Sequence, residues 1–172
     1  MSVRIYVPMT LDGLGAAVCA DLVQPIGGTA FAVTPGLEAS APGADTEELE
    51  YLATADAARA SLRLIAGAMT DSPALRVVVA AEVEQVQHRD DLDRAAVKVS
   101  GPIPWSSVVA VLLDGADAAD AVAAAVAVVD AADLGDLDAE FIVGTAEDFE
   151  LAWYAPGEIR YLLEELGSGN DQ

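Results

Sequence analysis

The residues best suited to chemistry in this chain are its few bases. Arg4, Arg59, Arg63 and Arg76 stand among 29 acids and 8 bases in all, and Lys98 is the one lysine. A guanidinium presents a planar fork of donors that matches carboxylates and phosphates. Convergence of these four would therefore make an anion pocket in an otherwise negative molecule. The competing expectation, which the large excess of acids favours, is that each pairs with a nearby carboxylate.

Other constellations fall short of their chemistry. Gly13-Leu-Gly15-Ala-Ala-Val18 follows an apparent strand and opens a helix, as a dinucleotide-binding turn does. Its third position is Val18, the turn is too long, and no acid closes the next strand to hold a ribose. Gly13 and Gly15 are instead expected to let the helix lie close to a sheet. His88, Asp90, Asp91 and Asp93 cluster in a polar stretch, but one histidine in a loop is a poor transition-metal set. Asp133, Asp136, Asp138 and Glu140 lack the spacing and central glycine of a calcium loop. No metal and no cofactor is expected. The hydrolytic, Walker and redox signatures are absent as well.

Cys19, the single cysteine, reads as a small core filler, and no internal disulfide can form. Trp105, Trp153 and Tyr154 are the candidates for an interface, since aromatic anchors carry binding energy; packing at the sheet ends is the competing role.

A net charge of −21 repels phosphate backbones and anionic lipid headgroups, so neither nucleic acid nor a membrane surface is an expected partner. The first residues show no basic segment followed by an apolar stretch. The most apolar helical stretch, 116–134, is charge-free only over 121–129, well short of the ~20 residues a span requires. A soluble cytoplasmic protein is expected.

The elements that must position these side chains are organised around Leu75–Val83. This unbroken apolar run is β-branched in its middle, which predicts a strand covered on both faces. Val3, Ile5 and Val7 alternate as a first strand that Pro8 ends, and Thr10 caps a helix with Leu11, Leu14, Val18 and Leu22 on one stripe. Residues 29–34 alternate as a second strand, and 35–44 read as loop. Asp45 and Glu48 resemble a capping box for a long helix over 46–68, with Tyr51, Ala55, Ala58, Leu62, Ile65 and Met69 as its buried stripe. Further strands are expected at 94–100 and 108–113, then an Ala-rich helix to Leu134 and a short edge strand at 140–143. A last strand around Phe149, Leu151 and Trp153 precedes a helix carrying Ile159, Leu162, Leu163 and Leu166. With 35 alanines and 5% aromatics, such a core closes by close helix–sheet approach. The expected fold is a single α+β domain over 1–166, in two layers or three. It has a mixed sheet of about six to seven strands and four helices; residues 167–172 are expected to be a disordered tail.

Residues 4–11 (Arg-Ile-Tyr-Val-Pro-Met-Thr-Leu), 28–35, 50–64 and 153–159 together resemble a family of uncharacterised, acidic, Ala-rich actinobacterial proteins. The resemblance spans nearly the whole chain and implies no activity. The first strand, helix and Ala-Phe-Ala-Val-Thr also look like the opening of ADP-ribosyltransferase-like and RNA 2′-phosphotransferase-like folds. Those families grip the NAD ribose with His-Gly-Thr, where this chain reads Pro8-Met9-Thr10. The expectation is a non-catalytic interaction or regulatory module with a protein partner. The alternative is a protein or enzyme that binds a small anion or nucleotide through an Arg59/Arg63 pocket.

Overall fold

The computed structural model describes residues 2–68 and 70–168. Strand β1 (Val3–Met9) leads into α1 (Leu11–Ala20), where the Thr10 hydroxyl accepts from the Gly13 N–H at 3.0 Å. Asp21 turns the chain out of α1 through a left-handed backbone, so Leu22 leaves the expected stripe and joins β2 (Leu22–Val23). After β3 (Thr29–Phe31) comes α2 (Pro35–Ser40), a short helix where a loop was expected. Thr34 caps it by accepting from the Leu37 N–H, and Pro35 stands in the first turn, where its missing N–H has no intrahelical partner to lose.

Helix α3 (Thr46–Gly67) begins as predicted, with the Asp45 carboxylate accepting from the Glu48 N–H at 2.9 Å. Its buried stripe is Leu49, Ala53, Ala57 and Ser61, with Ala58 and Leu62 beside it; Tyr51 and Ala55 face outward. The helix is rotated from the expected stripe because alanine is apolar enough to complete either face. Met69 lies outside the described residues.

Strands β4 (Val77–Val83), β5 (Gln87–His88), β6 (Ala96–Lys98), β7 (Ile103–Pro104) and β8 (Val108–Leu113) follow. Then come α4 (Ala119–Asp133), α5 (Leu137–Glu147), β9 (Ala152–Tyr154) and α6 (Ile159–Ser168). Helix α5 replaces the expected edge strand at 140–143. Asp136 accepts from the Ala139 N–H at 2.9 Å, and Ala139, Val143 and Ala146 are buried at helical spacing. Gly167 and Ser168 continue α6 rather than opening a tail, and 169–172 lie outside the described residues.

The main sheet runs β5-β6-β3-β1-β4-β8-β9, with a separate ribbon of β2 and β7. Every pairing in it is antiparallel, where a mixed sheet was expected. The connections explain the difference. Helix α3 joins β3 and β4, which run in the same direction but lie on opposite sides of β1. Two helices, α4 and α5, separate β8 from β9, so the chain reverses three times and returns antiparallel. Pro8, expected to end β1, instead pairs with Val78 at a point where the ladder to β3 has stopped.

Strand β4 sits inside the sheet with helices over both faces. Val77, Val79 and Ala81 join Ile5, Val7, Leu14 and Ile159 on the α1 and α6 side. Val78 and Ala80 join Tyr6, Phe31, Leu37 and the alanines of α3 on the other. A third cluster packs α4 and α5 onto Leu62 of α3. The result is one α+β domain with six α-helices among the described residues, two more than expected because of α2 and α5.

Candidate functional site

The four arginines do not converge on one pocket: Arg4 and Arg76 each pair separately, and Arg59 and Arg63 share a carboxylate. Arg4 on β1 stands in register opposite Glu82 on β4 and pairs with it at 2.9 Å, both side chains being half exposed. Arg59 and Arg63, one helical turn apart on α3, converge on Asp133 in the last turn of α4. Arg63 Nε donates to Oδ2 at 2.7 Å, and Arg59 Nη2 donates to Oδ1 at 3.1 Å. Arg59 also binds Glu140 of α5 at 2.8 Å and reaches Glu147 at 3.5 Å. This network clamps α3 to both arms of the α4–α5 hairpin. It also answers Asp133, whose charge opposes the dipole at the α4 C-terminus. The hydrogen bond from Arg63, with a further one from Arg59, holds the Asp133 carboxyl below its ordinary range. The bond from Arg59 does the same to Glu140.

Arg76 is different in kind. Its guanidinium is almost fully buried and grips Asp114 through Nε at 2.8 Å and Nη2 at 2.7 Å. Nη2 also donates to the Phe149 carbonyl at 2.8 Å, and the Arg76 backbone N–H donates to Asp114 Oδ2. Burying two charges is tolerable only with such close pairing. Among the described residues, Nη1 is the one guanidinium nitrogen of Arg76 without a hydrogen-bond partner.

Arg76 lines a cavity of about 560 Å³ between α3, the β8–β9 end of the sheet and the segment leaving α5. Helix α3 supplies Tyr51, Thr54 and Ala58, and the sheet end supplies Arg76 and Leu112. Glu147, Phe149, Glu150 and Leu151 form the remaining wall. Arg63 lines a different depression of about 240 Å³, with Pro8, Phe31 and Asp93. The Pro8-Met9-Thr10 corner lines a third space of about 330 Å³, and there the Thr10 hydroxyl is occupied in capping α1.

Of the aromatic candidates, Trp105 and Tyr154 pack half-buried against the core on the α1 side. Trp153 points the other way from the edge strand β9, opposite Leu112, and is 63% exposed. Cys19, expected in the core, is exposed on the outer side of α1. A Cβ on Gly13 would come within 3.1 Å of the capping Thr10 Oγ1, whereas one on Gly15 would meet nothing within 4 Å. Gly13 thus serves the cap, and close approach to the sheet is not what Gly15 provides. His88 lies exposed on β5, and Asp91 is paired with Arg89.

The reading of residues missed a surface that the structure makes plain. Leu134 at the tip of the α4–α5 hairpin is 90% exposed, Leu137 at the start of α5 is 83% exposed, and Phe141 one turn on is 78% exposed. Leu137 and Phe141 share the outward face of α5, opposite the buried Ala139, Val143 and Ala146. The signal was present in the i, i+4 spacing of two large apolar residues, but it is legible only once the segment is known to be helical.

No helix among the described residues is long and apolar enough to cross a membrane. No curated protein and no solved structure shows significant similarity to the chain. Residues 3–163 match the family of unknown function DUF6912, and the chain belongs to that family.

Proposed function

We propose that this chain is a non-catalytic protein-interaction module of the cytoplasm, and that the outward face of the α4–α5 hairpin is its contact surface. The observation that carries this reading is the exposure of Leu134, Leu137 and Phe141 together at one end of the molecule. Singly exposed apolar residues are ordinary, whereas grouped ones mark surfaces that a partner covers. Asp130, Asp136, Asp138 and Asp148 surround these three in sequence and are exposed. The fitting partner is therefore a basic amphipathic helix, its apolar side on Leu137 and Phe141 and its cations on the acids. The exposed thiol of Cys19 suits a reducing compartment, and arginine-over-lysine usage with abundant alanine suits a GC-rich actinobacterial source.

The test is titration with a synthetic Leu/Lys amphipathic helix and with its Leu/Glu counterpart. The basic helix should bind and the acidic one should not. The double variant Leu137→Ser, Phe141→Ser leaves the charge unchanged, so it separates docking from general attraction to an acidic protein. It should weaken binding at least about tenfold, the loss expected when two buried apolar anchors are removed. Unchanged affinity in that variant would sink the proposal.

A further inference from the structure

We infer that the cavity over Arg76 is a binding site for a small organic amine with an apolar body and a hydrogen-bond acceptor. The site uses none of the exposed residues of the hairpin face and does not depend on that reading.

The volume, about 560 Å³, falls in the range of small-molecule sites. Its walls are mostly apolar, with Leu112, Phe149 and Leu151 backed by Ala55 and Ala58. A few polar groups converge on that space. One of them is Arg76, whose Nη1 is, among the described residues, the one guanidinium nitrogen without a bond in a side chain otherwise fully engaged. It offers a ligand oxygen a donor already held in place by Asp114.

The sign of the site follows from the pairs around it. Arg76 is neutralised by Asp114, so it adds a donor without adding net charge. Glu147 and Glu150 line the wall. Among the described residues the one cation paired with Glu147 is Arg59, at 3.5 Å, and it is already bound to Asp133 and Glu140. Within that network two guanidinium groups, of Arg59 and Arg63, face three carboxylates, of Asp133, Glu140 and Glu147. The cavity wall is thus short of positive charge, which disfavours an anion and favours an ammonium group beside Glu147. Tyr51, exposed on α3, places an aromatic ring on the lining, where it adds attraction for a cation.

Thermal-shift and calorimetric titration with 5-methoxytryptamine and 5-methoxyindole-3-propionate tests this, because the two probes share a ring body with an ether oxygen as acceptor and differ in charge. The amine should raise the melting temperature in a concentration-dependent way, and the propionate should leave it unchanged. Glu147→Gln should weaken binding of the amine about fivefold to tenfold, as expected for loss of a partly exposed charge pair. Two variants fill the space: Leu112→Trp from the sheet, and Ala55→Trp from an exposed position on α3 that leaves the core intact. Either should abolish the shift. The inference is overturned if the propionate binds as well as the amine, or if neither probe shifts the protein at about 10 mM. Retention of the shift in a folded Ala55→Trp protein would also overturn it.

Discussion

Arg76, immediately before β4, and Asp114, immediately after β8, form a two-pronged ion pair with Nε–Oδ2 2.8 Å and Nη2–Oδ1 2.7 Å, almost fully buried at the end of the sheet. The β4–β8 register, Val77 opposite Leu113, brings them together across 38 residues of sequence. Removing one partner strands the other charge in the interior. Arg76→Met should destabilise the fold by about 3–5 kcal/mol. The double variant Arg76→Met, Asp114→Leu should recover a large part of that loss. Urea denaturation of the three proteins checks both, and a single-variant loss below about 1 kcal/mol would contradict the burial of the pair.

Ser61 is a buried hydroxyl on α3 that ties two strands to the helix. Its Oγ donates to the Met9 carbonyl at 2.7 Å and accepts from the Val77 N–H at 3.1 Å. Met9 and Val77 are themselves register partners at the end of the β1–β4 ladder. Ser61→Ala removes both bonds and leaves two buried backbone groups unsatisfied, an expected loss of about 1–3 kcal/mol. Equilibrium denaturation, with hydrogen exchange of the Val77 amide as a local readout, distinguishes this from a neutral surface change.

Asp133 makes stability depend on pH. Its folded-state pKa lies below the ordinary 3.8 because of Arg63 and then Arg59. The stabilisation it adds is therefore fully present above the unfolded value and is lost as pH falls through the folded one. Asp133→Asn should lower stability by about 1 kcal/mol at neutral pH, a modest figure because the pair is partly solvated. The gap between the two proteins should stay constant from about pH 5 to 8 and shrink below about pH 4. A gap that widens on acidification would contradict the assignment.

How much of this was legible beforehand varied with how unambiguous the local pattern was. The run that became β4 could be read because it is apolar at successive positions, and only a strand covered on both faces accommodates that. Asp45 and Glu48 marked the start of α3 through a cap that uses its own backbone. The buried face of α3 could not be read, since Ala53, Ala57 and Ala58 compete with Ala55 for the same role and alanine does not discriminate. Phe141-Ile142-Val143 resembles a strand by composition, and only the packing of Ala139, Val143 and Ala146 on α4 makes it helical. The arginines were identified as the informative residues, but their partners were set by strand register and helix packing. Nothing local to Arg76 points to Asp114.

Cys19 offers a direct check of which face α1 presents. Exposed on the outer side of the helix, its thiol should react stoichiometrically with Ellman's reagent in the native protein, without denaturant. Protection until unfolding would mean that α1 is rotated from the placement described here.

Mapping amide chemical shifts during titration with the basic amphipathic helix tests the hairpin face as a docking surface where binding occurs. Perturbations should concentrate in residues 134–148 and leave the β1–β3 region still. Shifts scattered over all acidic segments alike, or gathered at a site away from Leu137 and Phe141, would show that the exposed apolar residues of α5 are not what a partner recognises.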